Sequence, residues 1–308
     1  MSETLTILRS VSRDLTKRIC ADSSIEPYDQ ARTFNLIERQ VDGLDDIHQL
    51  LRRLERRSDC CIVRGAIADP ARTRGVRRLL HPDGGDQPTL REVPRRWLAL
   101  DFDLPSRPNW ITPTDLLSCG HLAIETLPHE FRRARFIVQA TAGHGLKPGI
   151  RVRLWCWLTR PTTGSELKYW LRRTPADPSV FGAAHIIYTA APRVQPGAFD
   201  PLTVRLEVVP SDTDTVTVPA PARLKPPKLP PRQRDDRNDD ISGLIRTVET
   251  AGGQPNNRNN ALYWAARRCA DRGLCDTDTA NRLEEAAMRA GLSQSEAAAT
   301  VKSGLRHG

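Results

Sequence analysis

The chain has 308 residues, with 46 Lys and Arg against 37 Asp and Glu, and 39% of it is apolar. That length accommodates one large domain and a small one, and an arginine-dominated basic excess suits an anionic partner such as a nucleotide or a nucleic acid. No apolar run approaches the ~18 residues that cross a bilayer, and Met1-Ser2-Glu3-Thr4 lacks the order of a signal peptide, so a cytoplasmic, non-membrane protein is expected.

Helical periodicity is predicted from about Thr4 to Arg57, and is best defined at Leu44, Ile47, Leu50, Leu51 and Leu54 behind Asp42-Gly43. A strand follows at Cys60 to Arg64, ahead of Gly65. Arg72, Arg74, Arg77 and Arg78 then form a basic segment before a Gly- and Asp-rich loop at Pro82 to Gln87. Trp97 to Asp103 reads as a strand and Leu116 to Leu127 as a helix. Phe136 to Ala140 and Ile150 to Leu158 are two strands joined by the glycine-rich loop Thr141 to Gly149, which predicts a long hairpin. A short helix at Glu166 to Arg173 and strands at Ile186 to Val194 and Val204 to Val209 complete an α+β sheet domain over residues 1–217. Residues 218–240 turn abruptly Pro-rich and basic, the composition of a semi-extended tether. Residues 241–308 are alanine-rich with helical spacing and predict a bundle of about four short helices. The seven cysteines include no Cys-x-x-Cys and read as reduced, mostly buried thiols.

Asp101 and Asp103 stand two residues apart at the end of the apolar run Trp97-Leu98-Ala99-Leu100, so on a strand both carboxylates point the same way. Two like charges at that spacing repel, and a hard divalent cation between them relieves the repulsion. Asp177 in Ala176-Asp177-Pro178-Ser179 is a third acid at a loop. Between them lie His144 and Lys147 in the glycine loop and Arg151 and Arg153 on one face of the strand that leaves it. Carboxylates that hold two divalent ions, with a basic wall to neutralise a triphosphate, are what nucleotidyl transfer requires.

The joint order of Arg64-Gly65, Trp97 to Asp103, Ala142-Gly143 with Pro148-Gly149, Arg153-Leu154-Trp155, Asp177-Pro178-Ser179, Tyr188 to Pro192 and Asp200-Pro201 resembles the primase-polymerase domains of the archaeo-eukaryotic primase superfamily, of phage or mobile-element type. The resemblance spans most of residues 35 to 210. In the tail, Asn257 to Arg267, Ala286-Ala287 before Gly291-Leu292, and Thr300 to Leu305 resemble the helical primase C-terminal domain. The resemblance implies a mixed-sheet catalytic domain with an RRM-like core and a small all-α domain behind it. It implies Asp101, Asp103 and Asp177 as catalytic metal ligands for Mg2+ or Mn2+, nucleoside triphosphates as substrates and single-stranded DNA as template. The family's Ser-x-His motif is missing. Thr141 and His144 sit in the corresponding loop at another spacing, and Arg153 takes the strand position of the histidine, so Thr141, His144, Arg151 and Arg153 become the expected nucleotide contacts. Arg64, Arg193 and Arg205 are the expected DNA contacts.

A non-catalytic single-stranded-DNA or origin-binding initiator is the alternative reading. A glycosyltransferase, which also uses Asp-x-Asp, would place a nucleotide-binding βαβ unit ahead of the motif, and none is evident. No Gly-x-x-x-x-Gly-Lys-Ser/Thr occurs, so unwinding is expected from a separate helicase.

Overall fold

In a computed structural model the described residues are 3–27, 31–224, 241–251 and 257–306. They form two compact units, Met1–Pro226 and Pro227–Gly308. The first unit runs β1 (Glu3–Ser10), β2 (Arg18–Ile19), β3 (Ile25–Glu26), β4 (Thr33–Val41), α1 (Leu44–Leu54), β5 (Cys60–Val63), β6 (Ala66–Ile67), β7 (Val76–Arg77), β8 (Leu90–Arg91) and β9 (Arg95–Leu104). It continues through α2 (Leu116–Glu125), β10 (Phe136–Ala140), β11 (Ile150–Thr162), α3 (Gly164–Trp170), β12 (Ile187–Tyr188), β13 (Arg193–Val194) and β14 (Leu206–Val209).

The expected helix from Thr4 is a correction. Only its last stretch, α1, is helical, and the residues before it form four strands, with β1 paired antiparallel to β4 along the whole of β1. Leu5 and Ile7 of β1 face one apolar cluster and Leu8 another, so neither face of the strand is polar and its period of two is hidden. The expected strand Ile186 to Val194 is likewise two short ones, β12 and β13, on different sheets.

Two antiparallel sheets carry the unit, ordered β12-β5-β1-β4-β7 and β14-β10-β11-β9. The expected mixed sheet is therefore corrected: among the named strands only β13 and β2 pair in parallel. In the second sheet β9 and β10 run the same way with β11 between them and α2 as the connection, a split βαβ arrangement. Leu98, Leu100, Phe102, Val138, Val152 and Leu154 pack one face of this sheet against α2 and α3. Trp97, Ala99, Ile137, Trp155 and Trp157 pack the other against Leu5 and Ile7 of β1 and Leu44, Ile47, Leu51 and Leu54 of α1. Each large apolar side chain fully buried this way stabilises the fold by roughly 1.5–3 kcal/mol. The same face turns polar at its far end, where the alternation Trp97, Ala99, Asp101, Asp103 carries β9 out from under the β1–α1 layer.

Val218 and Leu224 are buried in the first unit's core, so the start of the expected 218–240 tether packs against that unit. Residues 225–240 lie outside the described residues. The second unit contains α4 (Ser242–Thr250), α5 (Arg258–Ala270), α6 (Thr277–Arg289) and α7 (Gln294–Arg306) around a core of Leu262, Ala265, Ala266, Leu283, Ala286, Ala287, Ala297 and Val301. α5 and α7 approach closely at Gly304, where a Cβ would stand 2.6 Å from that of Ala266. Of the seven cysteines only Cys275 is exposed, and no helix among the described residues is long and apolar enough to cross a membrane.

Candidate functional site

The turn before β11 fixes the site's register. Gly149 has φ +83°, and a Cβ there would lie 1.9 Å from the carbonyl oxygen of Leu104, so only glycine lets the loop close onto the end of β9. Ile150 then pairs with Leu104, Arg151 with Asp103 and Arg153 with Asp101. Each acid thus faces an arginine directly across the strand pair, the closest cross-strand placement for opposite charges.

Arg153 takes Asp101 in a two-pronged grip: Nε donates to Oδ1 and Nη2 to Oδ2 at 2.8 Å, while Nη1 donates to the Tyr188 carbonyl. Arg151 pairs with Asp103 at 2.9 Å. The first pair is sheltered and the second is not, since the Asp103 side chain is 71% exposed and that of Asp101 27%.

A cavity of about 320 Å³ opens over these strands, and Asp101, Asp103 and Asp177 all line it, together with Lys17, Arg153 and His185. Asp177 arrives there because its backbone N–H donates to the Asp101 carbonyl at 3.0 Å. Its carboxylate accepts from the Ser179 N–H at 2.8 Å and hydroxyl at 2.7 Å, which caps the short 3₁₀ turn Pro178–Phe181. Gln139 from β10 completes the floor. It accepts from the Trp155 indole N–H at 3.1 Å and donates to the Thr189 carbonyl at 3.0 Å. Trp155 and Trp157 are core residues beneath the site.

Lys17 and His185 also line the cavity and fall outside the sequence motifs. Lys17 precedes β2, which β13 holds by pairing with it in parallel, a contact between residues 175 positions apart (Arg193 opposite Arg18). Burial holds the Lys17 ammonium below its usual range, and Lys147, Arg151 and Arg153 push the same way, against Asp103. Burial likewise lowers the His185 imidazole, opposed by Asp177 and Asp101.

Four expected contacts spend their polar atoms inside the fold. His144 is fully buried: its Nδ1 accepts from the Arg151 N–H at 3.1 Å and its Nε2 lies 2.9 Å from the Pro113 carbonyl, so it ties the loop down. The Thr141 hydroxyl, though its residue lines the cavity, donates to the Arg151 carbonyl at 3.0 Å and serves the same closure. Arg64 is 2% exposed and donates to the carbonyls of Trp97 and Thr162, each at 2.6 Å, so it braces β9 against β11 from inside. Arg205 is buried with both prongs on Asp200 and a third bond of 3.0 Å to the Thr141 carbonyl. Arg193 alone of the three expected DNA contacts is exposed, paired at 2.8 Å with Asp14.

Three carboxylates on one cavity offer the hard oxygen donors that Mg2+ and Mn2+ prefer. Among the described residues no three acids, histidines or cysteines are gathered at ligand spacing. Both oxygens of Asp101 and one of Asp103 hold arginines, which a cation on that pair would displace. No protein-family model, curated protein or solved structure matches this chain.

Proposed function

We propose that the first unit is a nucleotidyltransferase of the primase-polymerase kind, joining nucleoside triphosphates on a single-stranded DNA template, with unwinding left to a separate helicase. The observation that carries the reading is the meeting of Asp101, Asp103 and Asp177 with Lys17 and Arg153 on one cavity. A divalent cation on the Asp101–Asp103 pair would supply Lewis-acid activation and neutralise the leaving pyrophosphate.

The chain's own residues do the remaining work. Were a cation held by Asp101 and Asp103, Arg151 and Arg153 would be left to present planar forks suited to phosphate oxygens. Lys17, partly desolvated and facing the same cavity, adds a point charge where charge develops on the phosphates. Gln139 and Trp155 tie β10 to β11 beneath the cavity, which keeps the strand that carries Arg151 and Arg153 in register. The helical second unit is placed by its resemblance as the aid to initiation.

The pairing of both acids with arginine favours a second reading, a non-catalytic DNA-binding initiator whose carboxylates are permanently neutralised. Incubating the chain with unprimed single-stranded DNA, labelled nucleotides and Mg2+ or Mn2+ separates the two. De novo labelled oligomers support transfer, and their absence with both metals supports the initiator.

A further inference from the structure

We infer that the arginine-lined trough along α1, beside the Asp101 cavity, binds the phosphodiester backbone of single-stranded nucleic acid. The inference rests on template-directed synthesis as the chain's function and names where the template runs.

The trough begins as a cavity of about 590 Å³ whose lining includes Arg52 and Arg56 from α1 and its C-terminal edge and Arg193 from β13. It continues along the helix as a depression of about 530 Å³ where Arg52 and Arg56 are joined by Arg53 and His48. Among the described residues neither Arg53 nor Arg56 has an ion-pair partner, and both are exposed. The acids on the trough are already occupied. Asp200 is held by Arg205 at 2.6 Å, and Glu55 lies 3.6 Å from Arg52. Basic residues in the last turn of a helix also favour its dipole, which accounts for Arg52 and Arg53 alone. It does not account for Arg193, which comes from a strand more than 130 residues away and lines the same cavity.

The trough adjoins the site. Tyr188 and Ala190 line the Asp101 cavity, while the next residues, Ala191 and Pro192, line the trough. Arg205, on the trough, donates to the carbonyl of Thr141, on the cavity. Phe199, next in sequence to the lining residue Asp200, is 71% exposed, an aromatic of the kind on which unstacked bases stack. Arginine forks on a groove with an exposed aromatic beside it are the elements of backbone recognition without sequence readout.

The test is fluorescence anisotropy of a labelled oligodeoxythymidylate with the full chain, titrated from 50 to 300 mM KCl. The Arg52→Glu/Arg56→Glu variant should bind about tenfold or more weakly at 100 mM, with a log–log salt slope shallower by about 1.4, the ~0.7 per phosphate of single strands taken twice. Arg74→Glu/Arg91→Glu makes the same charge change at exposed positions off the trough and should bind within about twofold of wild type. Far-ultraviolet circular dichroism establishes that each variant is folded. Unchanged affinity in the first variant, or equal loss in both, overturns the assignment. Primer synthesis by the wild type alongside unchanged affinity overturns the trough and leaves the function standing. Trough-dependent binding without synthesis overturns the function alone.

Discussion

Asp101 and Arg153 face each other across β9 and β11, with both carboxylate oxygens taken by one guanidinium that is almost wholly buried. Removing the acid strands that cation in a low-dielectric site, whereas Asp103 is water-exposed and its loss strands little. Asp101→Ala should therefore lower unfolding stability by about 3 kcal/mol, and Asp103→Ala by less than about 1 kcal/mol. Urea denaturation of the two variants checks this, and equal losses would show that the Asp101 pair is not sheltered.

Lys17 lies on the cavity, where its charge faces the expected triphosphate. Lys17→Ala should raise KM for the nucleotide about tenfold, equivalent to ~1.4 kcal/mol, with the melting temperature within a degree or two of wild type. Steady-state kinetics at saturating template measures the first and a thermal melt the second. A melting temperature that falls along with the activity would make Lys17 a structural residue.

The parts of the fold visible in the sequence are those that a neighbouring signal bounds. β9, β10 and β11 were legible as apolar runs ended by acids or joined by a glycine-rich loop, and α1 and α2 by helical spacing. β1 and β4 were not, since their apolar residues merge with the helical spacing that leads into α1. The acids were legible at the site for the same reason as β9. Lys17 was hidden because the long-range pairing of β2 with β13 brings it in. Arg64, Arg205 and His144 misled in the opposite direction, as polar residue types that the fold buries among main-chain carbonyls and a carboxylate.

His144 gives a pH dependence. Burial holds its imidazole below the usual value, and its Nδ1 accepts a backbone hydrogen bond that a second proton would abolish. As the pH falls through ~6.5 the unfolded imidazole takes a proton before the folded one does, so the unfolded chain binds more protons and stability falls with acid. Chemical denaturation between pH 7 and 5 should show that decline, and His144→Gln should make it shallower. His48 and His185 are shifted in the same direction and keep part of the slope. A slope in His144→Gln equal to that of wild type would contradict the buried acceptor role.

The second unit has its own apolar core, separate from the clusters of the first. A chain ending at Pro226 should fold, extend a supplied primer at near the full-length rate and lose most de novo initiation. Parallel assays on primed and unprimed template read the two activities. Equal loss in both would remove the division of labour.

The central claim is that Asp101 and Asp103 carry phosphoryl transfer, and it is tested most directly by primer synthesis on unprimed single-stranded DNA with Mn2+, comparing wild type with Asp101→Asn/Asp103→Asn. The wild type should yield labelled oligomers and the variant should lose at least ~1,000-fold, ~4 kcal/mol of transition-state stabilisation, with DNA binding retained. Synthesis at the wild-type rate by the folded variant would contradict it.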